Sequence, residues 1–161
     1  METKKYLEDH DYCDAVVIGW DTQLTYGKLR CALMFLLKGA VYYATNEDAT
    51  YPVPNTLWPG TGASLAYITK AYGSKPLEIF GKPHSIGYQT ILASYQMSPD
   101  QAVMVGDRLD TDILGANRLG ITSICVETGV HSRNDITKFP KNCLPTAFFK
   151  NLNEFLQHAL L

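Results

Sequence analysis

Residues 102–113 read Ala-Val-Met-Val-Gly-Asp-Arg-Leu-Asp-Thr-Asp-Ile, setting Asp107, Asp110 and Asp112 just after a short apolar run. An apolar run ending in Gly and Asp reads as a buried strand, and open α/β sheets bind ligands outside the carboxyl ends of their strands. Carboxylates crowded onto one short turn suit a hard cation such as Mg2+. That ion prefers oxygen ligands and keeps several waters, so one direct carboxylate and one acting through water suffice. The plainer alternative has Asp107 closing a turn and Asp110 or Asp112 capping the next helix. Upstream, Gly81-Lys82-Pro83 closes a second apolar run. A lysine there offers a point positive charge to a phosphate, against the plainer reading of an exposed lysine in a turn. Acids for a metal and a lysine for phosphate together point to phosphoryl chemistry.

Two weaker signals lie in the first half. Asn46-Glu47-Asp48 follows an apolar run, where it could meet a substrate or simply turn the chain. Gly60-Thr61-Gly62 precedes a helical pattern and could hold an anion at the helix start, although a lone Gly-x-Gly more often only begins a helix.

The elements that must hold these residues alternate. Short apolar runs at 15–18, 40–45, 77–80, 102–105, 122–127 and 147–149 read as strands. Helical periodicity covers 26–38, 61–72, 85–95 and 110–119, with Gly39, Gly73 and Gly120 as stops. Asn151 caps a last amphipathic helix carrying Leu152, Phe155, Leu156 and Leu160. Residues 46–60 hold three prolines without a sustained period and read as a long loop. Strands alternating with helices predict an α/β fold with a mostly parallel sheet.

Bulk composition narrows the function classes. At 161 residues, 46% hydrophobic and 19% charged, the chain is of globular composition, in one domain or two small ones. A net charge of −2, with Lys4-Lys5 the longest basic cluster, gives no nucleic-acid stripe. No apolar stretch approaches the roughly 18 residues of a membrane span, and residues 2–10 are too polar for a secretory leader. Cys13, Cys31, Cys125 and Cys143 are scattered, which reads as reduced thiols in a cytoplasmic protein.

Taken together, Ala44-Thr45-Asn46-x-Asp48, Pro59-Gly60-Thr61-Gly62, Gly81-Lys82-Pro83 and the 103–113 segment resemble the haloacid dehalogenase superfamily of phosphatases. The resemblance is to the branch with a large α/β cap, which includes the phosphoglycolate, pyridoxal phosphate and 4-nitrophenyl phosphatases. It implies a cap-like region at 1–78 and the second half of a Rossmann-type core at 79–161. It implies Mg2+ as cofactor, with Asp107 as ligating acid, Asp112 as supporting acid of the same metal motif, and Lys82 steadying nucleophile and phosphoryl group. Asn46, Glu47, Asp48 and Tyr51 fall on the cap loop that meets the substrate, a small phosphorylated metabolite. Histidines typical of the pyridoxal type are absent there, so the phosphoglycolate or nitrophenyl type is the nearer match. A homodimer formed through the cap is a further expectation.

The family opens on an apolar strand ending in Asp-x-Asp, whose first Asp attacks phosphorus. No such strand is evident ahead of the cap-like region. The run 15–18 leads to Asp21, but position 23 is Gln and the segment falls in the cap, so Asp21 reads as structural. The chain is therefore expected to correspond to most of a cap and the second half of a core, with little or no turnover of its own. An incompletely represented phosphatase and a short non-catalytic relative that binds metal, ligand or a partner both fit.

Overall fold

Alternation builds the first sheet. In β1 (Ala15–Ile18) Val16 and Ile18 point inward, and in β2 (Val41–Ala44) Tyr42 and Ala44 do the same. The two strands pair in parallel, Val16 opposite Tyr42 and Ile18 opposite Ala44, so both inward sets share one face. Parallel neighbours need a crossover, and α1 (Tyr26–Leu37) supplies it, started by Thr25, whose hydroxyl accepts from the Lys28 amide at 3.2 Å. A computed structural model gives these elements for residues 10–159; residues 1–9 and 160–161, which include Lys4, Lys5 and Leu160, lie outside the described set.

The chain divides into two compact units, Met1–Gly81 and Lys82–Leu161. In the first, β5 (Glu78–Ile79) adds to β2, giving the parallel order β1-β2-β5. Phe35 and Leu36 of α1, and Leu65 and Ile68 of α2 (Thr61–Tyr72), cover the buried face with Val16, Ile18, Tyr42 and Ala44. The buried Tyr42 hydroxyl is satisfied by the Thr69 hydroxyl at 3.2 Å and the Leu65 carbonyl at 3.4 Å. Both helices stop where expected, at Gly39 (φ 99°) and Gly73 (φ 88°).

The expected long loop at 46–60 is instead largely a β-hairpin, β3 (Thr50–Val53) against β4 (Thr56–Pro59). Its two-residue turn, Pro54-Asn55, places Asn55 at φ 67°, a left-handed conformation asparagine tolerates. The prolines at 52 and 59 are accommodated because this two-stranded ribbon has free outer edges.

In the second unit, β6 (Val103–Gly106), β7 (Thr122–Val126) and β8 (Ala147–Phe149) form a parallel sheet in that order. The central β7 buries Ser123, Ile124 and Cys125. The helix expected at 110–119 begins one residue earlier and is wound differently. Leu109–Ile113 forms a π turn, closed by the Ile113 amide on the Arg108 carbonyl at 3.1 Å, before α4 (Leu114–Arg118) takes up ordinary winding. Helices α3 (Ile86–Tyr95) and α5 (Leu152–Ala159) complete the unit, the latter capped by the Asn151 side chain on the Glu154 amide at 3.0 Å. Parallel sheets flanked by helices are the α/β class expected from the alternating pattern. No helix among the described residues is long and apolar enough to cross a membrane.

Candidate functional site

The carboxyl end of β6 gathers Lys82, Asp107 and Asp112. Asp112 folds back across the π turn, and its Oδ2 accepts from the amides of Asp107 (3.2 Å) and Arg108 (3.1 Å). Its Oδ1 pairs with the Lys82 ammonium. The Asp112 side chain is 4% exposed and that of Lys82 52%. The buried charge is thus matched on both oxygens, as a buried carboxylate requires, while the lysine head keeps access to solvent. Gly106 permits this fold-back, because a Cβ there would strike the Asp112 carboxyl group.

Asp107 is held from the other side. Its Oδ2 accepts from the Val130 amide at 2.8 Å, and its carbonyl accepts from the His131 amide at 3.1 Å. A Cβ on Gly129 would occupy the space of that carboxylate. Among the described residues, no hydrogen bond falls on Asp107 Oδ1. Asp110, the third acid of the motif, is engaged by the Arg108 fork at 3.1 and 2.9 Å. Burial raises its pKa, but the Arg108 hydrogen bond and charge outweigh burial and hold it below the usual carboxylate range.

Two contributors escaped the sequence reading. The Tyr88 hydroxyl donates to the Asp112 carbonyl at 3.1 Å. Burial, then the Asp112 charge, push its pKa up to about 12, so it stays a donor at neutral pH. The segment Gly129–His131 was also missed. Its signal was positional, since it follows β7 as Asp107 follows β6, both at carboxyl ends of neighbouring strands. Nearby Cys125 is pushed up to about 11 by burial and the charges of Asp107, Glu127 and Asp112, which makes it an unreactive thiol.

In the first unit, the Asn46 amide donates to Asp48 Oδ2 at 2.5 Å, and the Thr45 hydroxyl to Asn46 Oδ1 at 3.0 Å. Glu47 is exposed beside them. The loop lies on the start of α2, where the Gly62 amide donates to the Asp48 carbonyl at 2.8 Å and a Cβ at position 62 would meet the backbone of Glu47 and Asp48. The Gly60-x-Gly62 pattern therefore seats this loop, and that amide is spent on a carbonyl rather than an anion. Tyr51 stacks on Trp20, ring centroids 4.4 Å apart and 27° between planes. Asp21 serves a turn, accepting from the Gln23 amide at 2.7 Å and pairing with Lys28 at 2.5 Å.

No group of three or more His, Cys, Asp or Glu among the described residues is arranged as a metal cage. Mg2+ asks for less: one or two carboxylates, retained waters and substrate phosphate. An acid with one oxygen uncommitted, beside a buried acid and a lysine, is a donor set that fits it.

Residues 79–155 match the HAD-hydrolase-like family model. An acid sugar phosphatase of Staphylococcus saprophyticus is 36% identical over 151 residues, covering 94% of this chain and 57% of its own length. Among solved structures, 4-nitrophenylphosphatase from Thermotoga maritima superposes with a TM-score of 0.83 at 34% identity, covering 96% of this chain and 60% of that one. A glycerol phosphate phosphatase from Mycobacterium tuberculosis, in complex with magnesium, gives 0.80 at 35% identity, covering 88% and 42%. Residues 79–155 belong to the haloacid dehalogenase-like (HAD-like) hydrolases, and the rest of the chain is similar to phosphatases of that type. It spans 57% of the length of the acid sugar phosphatase it matches.

Proposed function

We propose that this chain serves Mg2+-dependent hydrolysis of small phosphate monoesters, of the phosphoglycolate or 4-nitrophenyl phosphate type. The observation that carries the reading is the Lys82–Asp112 pair beside an Asp107 carboxylate with one oxygen uncommitted. Lys82 has three N–H donors and a half-exposed head, so it can hold a phosphoryl oxygen while still paired with Asp112. Asp107 would hold Mg2+ directly and Asp112 would act through water. When bound, the ion neutralises charge on the phosphoryl oxygens.

The remaining roles follow from the chain's own groups. Asp112 fixes the lysine head and the amides of Asp107 and Arg108 before substrate arrives, which is preorganisation of the kind that stabilises developing charge. Residues 1–78 act as the cap-like region and 79–161 as the core-like region. Asn46, Glu47, Asp48 and Tyr51 read the organic part of the ester. Covalent phosphoryl transfer needs an attacking carboxylate. Asp107 and Asp112 are both committed to holding charge, so neither is assigned as the attacking acid, and these residues serve the reaction by binding metal and phosphate, with little or no turnover expected of them alone.

The test combines turnover of 4-nitrophenyl phosphate with calorimetric binding of inorganic phosphate in Mg2+, on the chain and on Asp107→Asn. Phosphate binding that needs Mg2+ and Asp107, without turnover, supports the reading. Turnover that depends on Asp107 would place an attacking acid within the chain. Absence of both binding and turnover would remove the site.

A further inference from the structure

The start of the π turn is held by a residue well outside the acid motif. Amides at a helix start lack intrahelical partners. Here those of Asp107 and Arg108 go to Asp112, and that of Leu109 goes to the His131 ring, 3.0 Å from Nδ1. The same histidine donates its own amide to the Asp107 carbonyl at 3.1 Å. Its neighbour Val130 donates to Asp107 Oδ2 at 2.8 Å. Three hydrogen bonds from two adjacent residues therefore fix the backbone of Asp107, its carboxylate and the turn that follows.

The ring is itself fixed. His131 meets Phe139 edge to face, centroids 4.8 Å apart and 63° between planes. Phe139 packs on the cluster of Leu109, Ile113, Cys125 and Cys143. Accepting at Nδ1 requires the ring proton on Nε2, so packing and hydrogen bonding select one orientation and one tautomer.

We infer that His131 is a positioning residue for the metal-holding acid: through Leu109 and its own backbone it keeps Asp107 Oδ1 presented to a divalent cation. This rests on the proposed function, and adds a residue that touches neither metal nor substrate. Partners of this kind typically govern 10–100-fold in metal affinity.

Two substitutions separate the hydrogen bond from the packing. His131→Phe keeps the ring against Phe139 and removes the acceptor. His131→Asn places an amide oxygen near the position of Nδ1 and gives up the ring. Mn2+, an oxygen-seeking stand-in for Mg2+, is titrated by electron paramagnetic resonance into the chain and both variants, with thermal unfolding as the fold check. Exchange of the Leu109 amide proton is followed by NMR without metal.

The expected result is Mn2+ binding at least about tenfold weaker in H131F, binding near that of the parent chain in H131N, and Leu109 exchange accelerated only in H131F. Equal Mn2+ affinity in H131F and the parent would overturn the inference, as would a loss in H131N matching that in H131F. If the parent chain binds no Mn2+ while Leu109 stays protected through His131, the metal-site reading falls and takes the positioning role with it. Should H131F not fold, His131→Gln, with its acceptor one methylene further out, takes its place with the same expected weakening.

Discussion

The two candidate regions are built on opposite plans. In the second unit, the carboxylates of Asp107 and Asp112 accept from backbone amides, Asp112 also pairs with Lys82, and Asp112 is almost wholly buried. In the first, Asn46 and Asp48 satisfy each other, Glu47 is exposed, and Tyr51 rests on the half-exposed Trp20. Charge that must not relax is embedded in main-chain donors at a strand end, where the low dielectric strengthens it. The first-unit groups sit on a hairpin and a short loop, which can vary without disturbing a core. The proposed function assigns phosphate handling to the embedded plan of the second unit and choice of the ester to the plan of the first.

The contrast is broken most directly at Asp112. Asp112→Ala strips two amides and an ammonium of their acceptor, and is expected to cost about 2–3 kcal/mol in urea unfolding, the ammonium adding little because Lys82 is half exposed. Asp48→Ala, by the same measurement, should cost about 1 kcal/mol or less. Equal costs would erase the distinction. Gly129→Ala forces the Asp107 carboxylate aside and is expected to cost roughly 1–3 kcal/mol, as overpacking does. A neutral result would show that the clamp on Asp107 is loose.

Smaller effects sharpen the first unit. A double-mutant cycle on Trp20→Ala and Tyr51→Ala should give a coupling of about 0.5–1.5 kcal/mol, the usual value for a stacked aromatic pair. Zero coupling would mean that the stack does not hold Tyr51. The smallest effect belongs to Asp135 in the second unit. Hydrogen bonds from Lys138 and Ser132 lower its pKa from 3.8 to about 2. A depressed carboxyl contributes stability that is present above its unfolded pKa and lost as pH falls through the folded one. Asp135→Asn should therefore lower stability slightly from neutral pH down to about pH 4, with the difference from the parent closing between about pH 4 and 2. An unaltered acid limb would show that these hydrogen bonds do not persist in solution.

Much of the fold was legible because burial follows period. The strands at 15–18 and 147–149 agree with their expected bounds, and Gly39 and Gly73 stop helices as read. The hairpin was hidden because Pro52, Pro54 and Pro59 look like breakers, and only pairing shows that a two-stranded ribbon has outer edges for them. The winding of Leu109–Ile113 was hidden for another reason. It depends on Asp112 returning to the amides of Asp107 and Arg108, a choice no local propensity contains. Lys82 and Asp112, thirty residues apart, were both legible as chemical groups, and the structure joins them. Tyr88 and His131 were not, since a hydroxyl on a carbonyl and a ring nitrogen on an amide leave no motif in the sequence.

The proposed divalent-cation site at the carboxyl end of β6 has Asp107 as its open ligand. Calorimetric titration of Mg2+ into the chain and into Asp107→Asn tests it most directly. Saturable binding to one site, abolished in the variant while its melting temperature stays close to the parent's, is the predicted result. Binding of equal strength in both would contradict the account.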